Sequence, residues 1–503
     1  MSLLRRPTLE YTLSSQADGK RRLTRNLTWI NIATLGVSMC VGAGIFSVGA
    51  KVIANEAGPS AIISFLIAGA ACALAAMCYA EFSSTIPIAG SAYTYSYSTL
   101  GEIVAWIVGW NLILELFMAA SVILKYWSEY FFTFVELFGG KIAHTIGSRV
   151  LAIEWPILIG AVLFTTMLVI GTKFSTRFAT IFVIIKVSVI IFIVVNGFRF
   201  FNPANLTPFI PPAQPLDQSS SGVLDQTLIS FIFGQAPERF GVFGIFAGAV
   251  IVIFAFVGFD TAATVAEETK NPKRNVPLGL FVGVAIVTLL YILTALVTAG
   301  MVPHTAFAEF AKTHPDSTPT LATAFQIVGE DWVGALSAFG IFVGLTSVVP
   351  VCLLGLSRVV FAMSRDGLMP RWVSVTSKRF STPYRINIIA GVLAFFVASF
   401  TSIELLSDMI NIGTLSAFIV VSFSVPILRK LHREKDDDGF KVPFSPVLPI
   451  VSGCVCVWLA LNLAIETWMA FGIWLVAGLT FYLAYGRRKS ILAKRPEHIA
   501  KDN

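Results

Sequence analysis

Three ionisable residues, Lys186, Glu115 and Asp260, lie deep inside apolar stretches of this sequence. A charge at the centre of a membrane helix costs about 3 kcal/mol on insertion, so each needs a function or a partner. Lys186, in TIFVIIKVSVIIFIV, has at least six uncharged residues on either side and cannot easily snorkel to water. A buried ammonium can gain and lose a proton, which favours a role in proton coupling. The alternative is a permanent ion pair that holds two helices together, with Glu115 as one partner.

The two acidic residues allow different interpretations. Glu115, in GWNLILELFMAA, can contact a substrate side chain, balance Lys186, or bond to a polar neighbour. Asp260 follows Gly258, where a carboxylate can cap the N-terminus of a restarted helix. We expect that structural role for Asp260 and leave the role of Glu115 open.

Two apolar stretches, 31–51 and 247–277, are interrupted by glycine where an ordinary membrane span would be uniform. The first contains Gly36, Gly42, Gly44 and Gly49, and the second contains Gly258. Unwound backbone frees amides and carbonyls that can bind a polar solute. Breaks at corresponding places in two halves of a chain therefore predict a transporter with its site near the bilayer midplane. The alternative is that the glycines only allow close helix packing.

The composition places these stretches in a polytopic membrane protein. The chain is 56% hydrophobic and 13% charged, with a mean hydropathy of +0.78, whereas soluble domains carry about 25% charged residues. About twelve apolar segments have the ~20 residues that span hydrocarbon as a helix. We predict an all-α membrane protein with twelve transmembrane helices, at 30–54, 60–83, 99–127, 151–170, 178–198, 242–266, 278–300, 332–361, 386–404, 407–428, 446–466 and 469–486.

Other classes of protein are disfavoured. The six cysteines fall in apolar segments and the five histidines in loops or tails, without metal-ligand or nucleophile spacing. We therefore predict no enzyme activity, no cofactor and no metal. A channel would need filter loops or rings of charge, and the chain has neither.

The distribution of basic residues predicts the topology. Of the 36 Lys and Arg residues, 27 fall in the tails and loops on one side of the predicted spans. By the positive-inside rule, both termini are cytoplasmic. The net charge of +7 is then a topology signal, and no nucleic-acid partner is needed to explain it. On the opposite side, segment 303–331 is predicted to form short lid helices.

Several motifs carry a family resemblance. VGAGIF in the first span, PIAGSAYTYSY at 87–97, FAFVGFD and AEETKNPKRNVP in and after the sixth span, and SRDGLMP after the eighth occur in this order. Together they resemble the amino acid, polyamine and organocation transporter superfamily, and within it the bacterial cationic amino acid transporter-like branch. The resemblance implies the leucine-transporter fold, with an N-terminal tail (1–29), a first inverted five-helix repeat (30–198), an extracellular linker (199–241), a second inverted repeat (242–428), a cytoplasmic loop (429–445), two further helices (446–486) and a C-terminal tail (487–503).

The resemblance also implies a substrate site at the two breaks. The α-carboxylate of an amino acid would meet backbone amides of the first span, and the α-ammonium would meet carbonyls freed at both breaks. The pocket walls, with Glu115, Phe254 and the segment 342–347 as candidates, would select the side chain. The implied backbone positions are Cys40, Val41, Ala43, Gly44, Ile45 and Phe46 in the first span and Phe254, Ala255 and Val257 in the sixth.

By the same resemblance, Lys186 matches a lysine that proton-coupled members place where sodium-coupled relatives bind an ion. It would reach first-span carbonyls near Ser38 and the hydroxyls of Thr346 and Ser347. We therefore expect a secondary active amino acid transporter of a bacterial plasma membrane that works by alternating access as a proton symporter. A proton-independent exchanger and a transporter-derived amino acid sensor are the alternatives.

The substrate and the partners stay open at this point. If Glu115 faces the substrate, a cationic side chain is favoured; if it neutralises Lys186, a small neutral side chain is favoured. The expected partners are the amino acid and the lipid bilayer, with a small membrane accessory subunit allowed by the resemblance. Lys125 and Glu129 replace the family's usual small residues after the third span and bear on where such a subunit would dock.

Overall fold

The protein is described by a computed structural model that covers residues 5–6, 26–42, 44–86, 91–140, 143–146, 153–170, 176–215, 224, 226–234, 238–313, 320–377, 382–431 and 439–494. Each of the twelve predicted spans contains a helix. Among these described residues, eight helices are long and apolar enough to cross a membrane, one further span is a bent pair, and three are shorter apolar helices. The predicted class, an all-α polytopic membrane protein, is confirmed.

We number the spans in chain order. They are span 1, Trp29–Cys40 with Gly44–Asn55; span 2, Ala61–Thr85; span 3, Glu102–Leu137; span 4, Trp155–Ile170; span 5, Thr176–Gly197; span 6, Gly241–Phe256 with Asp260–Glu268; span 7, Pro272–Met301; span 8, Asp331–Leu345 with Val348–Arg365; span 9, Tyr384–Phe400; span 10, Ile403–Leu431; span 11, Val447–Leu461; and span 12, Ile465–Phe481.

Two spans differ from the prediction in shape. Span 3 continues ten residues beyond the predicted end at 127, because no helix breaker occurs before Gly139 and Lys125 is accommodated by donating to the carbonyl of Thr401 at 2.9 Å. Span 8 is two helices that meet at Thr346 and Ser347. By hydropathy, residues 331–365 form one candidate span, so hydropathy alone does not indicate the joint.

Small residues allow the spans around the first break to pack closely. Span 7 lies against both span 1 and span 2. A Cβ on Gly279 would lie 2.6 Å from Cβ of Ile32, and a Cβ on Gly69 would lie 2.6 Å from the side chain of Thr288. In lipid there is little hydrophobic drive between helices, so close van der Waals contact of this kind holds them together.

The described helices and strands outside the spans are short. Two helices, His304–Thr313 and Leu321–Ile327, lie in the predicted lid segment, and Thr320 caps the second of them. Two small antiparallel pairs join Thr145–Ile146 to Ile153–Glu154 and Gln214–Pro215 to Glu238–Arg239. The remaining helices are Ser91–Thr99, Leu228–Ile232, Arg487–Lys489 and Ile491–Lys494, with single turns at Gly58–Ser60, Phe198–Phe200, Pro203–Leu206 and Tyr482–Gly486.

Candidate substrate site at two broken helices

Span 1 is broken where its glycines predict a break. The first helix ends at Cys40, and the chain resumes as a π-helical turn, Gly44–Val48, at 43° to the first segment. Ala43, one of the predicted carboxylate-binding positions, lies outside the described residues. The break leaves the last carbonyls of the first half-helix and the first amides of the second without helical partners.

Span 6 is broken at the corresponding place. Its helix ends at Phe256, Gly258 has a φ of +106°, and a 3₁₀ helix begins at Asp260. Glycine is required at 258 for two reasons, since L side chains rarely adopt this φ and a Cβ there would lie 2.7 Å from Cβ of Met39 in span 1.

The two breaks cross in direct contact. The thiol of Cys40 donates to the carbonyl of Phe256 at 3.2 Å. Tyr291, in span 7, places its hydroxyl oxygen 2.6 Å from the carbonyl oxygen of Cys40 and 2.7 Å from that of Ala255. Both carbonyls belong to the set that we expect to bind a substrate ammonium.

Tyr291 was not predicted as a site residue. A tyrosine hydroxyl has one hydrogen, so it can fully satisfy only one of the two carbonyls at a time. An ammonium group carries three N–H donors and would supply the missing one. The signal in the sequence was a single phenol within the apolar run LLYILTAL, and nothing local to that run identifies its partners.

A small cavity of about 20 Å³ lies at the crossing. This volume accommodates about one water molecule and is too small for an amino acid. Among the predicted site residues, Cys40, Gly44, Phe254 and Val257 line it. The other walls were not among the predicted site residues, although Gly42 and Gly258 were predicted to interrupt their helices; they are Met39, Gly42, Leu116, Ala119, Ile123, Gly258, Val348 and Cys352.

Several predicted site residues lie behind this wall. Val41, Ile45, Phe46 and Ala255 are buried but do not line the cavity. The carbonyl of Phe46 accepts a hydrogen bond from Tyr130 at 2.7 Å, which ties the restarted helix to span 3. Positions 342–347 also lie outside the lining, and span 8 contributes Val348 and Cys352 instead.

Lys186 is only 1% exposed and reaches the end of the first half-helix. Its ammonium nitrogen donates to the carbonyl of Ser38 at 2.7 Å, and its stem lies against Gly344, where an added Cβ would be 3.0 Å away. The predicted partners Thr346 and Ser347 bond elsewhere, since their hydroxyls donate to carbonyls of span 8 at 3.0 and 2.9 Å.

Glu115 does not pair with Lys186. It lies against span 10, where a Cβ on Gly413 would be 3.5 Å from Cβ of Glu115. The ammonium of Lys186 is instead bonded to the carbonyl of Ser38. The position of each ionisable residue along its span predicts that it is buried. The direction in which each side chain faces decides its partner, and this direction separates Lys186 from Glu115.

Two discontinuous helices whose freed backbone groups meet at a small cavity, inside a bundle of membrane spans, are typical of a secondary transporter. Residues 27–481 match the model of the amino acid permease family, so the chain belongs to this family, whose members are transporters rather than enzymes. Membership implies the leucine-transporter fold.

Individual relatives match over most of their length. The methylthioribose transporter of Bacillus subtilis is 38% identical over 98% of this chain and 100% of its own. The branched-chain amino acid permease of the same organism is 34% identical over 98% and 99%. The vacuolar cationic amino acid transporter 4 of Arabidopsis thaliana is 33% identical over 85% of this chain and 67% of its own.

Proposed function

We propose that the protein is a proton-coupled symporter of neutral amino acids with apolar side chains, working by alternating access. The observation that carries the coupling is the contact of Lys186 with the carbonyl of Ser38, three residues before the break in span 1. The C-terminal end of a helix carries a partial negative charge that a cation stabilises. Loss of the proton from Lys186 removes this stabilisation and favours movement of the first half-helix.

Such a mechanism requires that the outward-facing and inward-facing states of the transporter bind the proton with different affinity. The contact with Ser38 depends on the position of span 1, because span 5 supplies the lysine and span 1 supplies the carbonyl. A rotation of span 1 therefore changes the environment of Lys186 directly. Substrate binding at the same break shifts the same equilibrium, and this couples the two events.

The substrate class follows from the cavity walls. Leu116, Ala119, Ile123, Val348 and Cys352 offer apolar surface to a side chain. Glu115 is absent from the lining, so no described carboxylate is in place to receive a cationic side chain. An apolar pocket with backbone groups at its end suits valine, leucine or isoleucine. Among the relatives, the branched-chain amino acid permease supports this substrate class, whereas the cationic amino acid transporter favours the other.

Two ion pairs close the ends of the bundle. Lys51, beyond the break in span 1, bonds to Glu404 in span 10 at 2.8 Å. Glu81, at the end of span 2, accepts two hydrogen bonds from Arg429 at 2.6 and 2.8 Å. In the orientation that the basic residues predict, the first pair is external, the second is cytoplasmic, and the protein lies in the plasma membrane with both termini inside. Alternating access would open one pair at a time.

A proton-independent exchanger is the second candidate. Lys186 contacts a carbonyl and no described carboxylate, which also suits a permanently charged lysine that replaces a bound cation. In that case protons would not move with the substrate.

The test is uptake into proteoliposomes of valine, leucine, isoleucine, methylthioribose, lysine and arginine, with and without an inward proton gradient. We expect gradient-driven uptake of the branched-chain amino acids by the wild type and by Lys441→Ala, an exposed control, and its loss in Lys186→Ala. If the uptake rate of both the wild type and Lys186→Ala is independent of the proton gradient, coupling through Lys186 is excluded and exchange is supported. Uptake of arginine or lysine alone would exclude the substrate class, and transport of no substrate would favour a sensor.

A further inference from the structure

A groove of about 220 Å³ lies between spans 4 and 9 on the outside of the bundle. Three of its side chains, Leu158, Val162 and Val392, are 47%, 60% and 49% exposed, so the groove opens toward the surrounding lipid. It shares no residue with the lining of the substrate cavity. The lining is apolar apart from two hydroxyl groups, and consists of Leu158, Ala161, Val162, Thr165, Thr166, Gly391, Val392 and Phe395.

Spans 4 and 9 are held together along this groove. A Cβ on Gly391 would overlap Oγ1 of Thr165, so glycine is required for the close approach of the two helices. Just before span 9 begins, the hydroxyl of Thr382 donates to the carbonyl of Val169 in span 4 at 2.8 Å. An empty groove would leave its lining without van der Waals contacts on one side. Because the helices are fixed to each other, a molecule from outside the bundle must fill the groove.

Two arginines and two aromatic residues lie at the start of span 9, which the positive-inside rule places on the cytoplasmic side. We call Arg371, Trp372, Tyr384 and Arg385 the basic cluster. Nη1 of Arg385 donates to the carbonyl of Trp372 at 3.2 Å, and its Nε donates to the hydroxyl of Tyr384 at 3.1 Å. Arg371 directly precedes Trp372 and is exposed. These hydrogen bonds hold the turn after span 8 against the first turn of span 9.

The groove and the basic cluster lie on one face of span 9. Arg385, Ile388, Val392 and Phe395 follow each other at intervals of three or four residues, which places them on the same side of a helix. Seven residues separate Arg385 from Val392, a rise of about 10 Å along the axis. The headgroup layer on each side of a bilayer is about 5–7 Å thick. With Arg385 among the headgroups, Val392 and the groove therefore lie at the depth of the acyl chains.

The charge of the basic cluster is not neutralised by any carboxylate among the described residues, since neither Arg371 nor Arg385 forms an ion pair with one. A guanidinium has five N–H donors, and the described contacts of Arg385 use two of them. The planar guanidinium group matches the geometry of a phosphate group. Trp372 is 56% exposed, and tryptophan concentrates at the level of the lipid headgroups.

We propose that the groove and the basic cluster together bind one anionic phospholipid, with its phosphate on Arg371 and Arg385 and an acyl chain in the groove. An acyl chain gains little hydrophobic free energy on leaving the bilayer, because the surrounding lipid tails are equally apolar. The groove therefore fixes the chain by its shape, and the basic cluster selects the headgroup by its charge. A free phosphate would contact the arginines alone. The inference is independent of the proposed transport function, because no residue of this site lines the substrate cavity.

Photo-crosslinking tests the groove. The full-length protein is reconstituted in phosphatidylcholine vesicles that contain a small fraction of phosphatidylglycerol with a diazirine in one acyl chain. We expect crosslinks on the lining residues of spans 4 and 9, and we expect unlabelled phosphatidylglycerol, but not inorganic phosphate, to reduce them. Val162→Trp fills the groove and should abolish these crosslinks, whereas Val195→Trp, at a 59% exposed position of span 5, should retain them. Crosslinks spread evenly over the lipid-facing spans, or unchanged in Val162→Trp, would overturn the proposal.

Native mass spectrometry tests the headgroup preference, as the ratio of phosphatidylglycerol to phosphatidylcholine that the protein retains from an equal mixture. Arg371→Gln and Arg385→Gln should each lower this ratio roughly fivefold, the contribution of one basic side chain near an anionic membrane surface. Arg488→Gln, an exposed arginine after span 12, is the matched control and should leave the ratio unchanged. Equal retention of the two lipids by the wild type, or an unchanged ratio in both variants, would contradict the proposal. A dimer that covers this face and excludes the lipid would also overturn it and assign the groove to a second copy of the chain.

Discussion

Gly44 lies so close to Ala255 that a Cβ on Gly44 would be 2.2 Å from Cα of Ala255. This contact joins the restarted half of span 1 to the last turn of span 6 before its break. Because backbone meets backbone at the crossing, neither chain can move aside to admit a methyl group. The two broken helices are therefore one unit, and a substrate held between them contacts both.

The substitution Gly44→Ala tests this contact. An added methyl group in a tightly packed interior costs about 1–3 kcal/mol, and here it also separates the two sets of carbonyls. We expect a lower unfolding temperature and loss of uptake. Gly472→Ala in span 12 is the control, because nothing lies within 4 Å of its added Cβ. Uptake by Gly44→Ala at the wild-type rate would contradict the close contact between Gly44 and Ala255.

The substitution Lys186→Arg distinguishes a titrating lysine from a fixed cation. A guanidinium keeps its proton at all relevant pH values, so the variant retains the charge but cannot release a proton. We expect gradient-driven uptake to fall at least tenfold, a change equivalent to about 1.4 kcal/mol. Gradient-driven uptake by Lys186→Arg at the wild-type rate would instead establish the permanently charged role.

The substitution Tyr291→Phe removes the hydroxyl shared by Cys40 and Ala255. Loss of a donor to a buried carbonyl costs about 1–3 kcal/mol, so the unfolding temperature should fall. The KM for amino acids should also rise, because the carbonyls are no longer held in place for an ammonium. The matched control is Tyr485→Phe in the turn after span 12, and equal effects of both variants would remove any special role for Tyr291.

Shortening a side chain that lines the cavity should change which amino acid the transporter prefers. Ile123→Ala enlarges the pocket next to the substrate side chain. Each methylene in an apolar pocket is worth about 1–3 kcal/mol of discrimination, so the preference should move from valine towards larger apolar amino acids. Competition of unlabelled amino acids against labelled valine measures this shift. Ile107→Ala, on span 3 but outside the lining, should leave the order of preference unchanged.

The pair of Glu81 and Arg429 should hold the proposed cytoplasmic end closed. Arg429 forms a fork with both carboxylate oxygens of Glu81 and also donates to the carbonyl of Val442 at 2.7 Å. Arg429→Gln leaves a carboxylate that is 3% exposed without its partner. We expect greater alkylation of a cysteine introduced beside the cavity from the cytoplasmic side. Lys430→Gln, which is exposed, is the control, and equal labelling of both variants would exclude a gating role.

Hydropathy and glycine placement predicted most of the fold. A span must be apolar over its whole length because lipid offers no hydrogen bonds, so the twelve helices can be recognised from composition. Glycine at 44 and 258 is required by local backbone geometry and close approach, and both breaks lie where these residues predict them. The joint at Thr346 and Ser347 in span 8 was not predicted, because hydroxyl residues also occur inside unbroken apolar helices, as Thr294 and Thr298 do in span 7.

The sequence alone therefore determined the membrane class, the number of spans, the two breaks and the burial of Lys186, Glu115 and Asp260, since these depend on local composition and chain geometry. Only the tertiary structure decided which groups meet. It brought Tyr291 to both sets of carbonyls, Lys186 to Ser38, and Glu115 to span 10 instead of Lys186. The rotation and crossing of helices depend on the sum of many weak packing contacts between distant segments, which no single stretch of sequence contains.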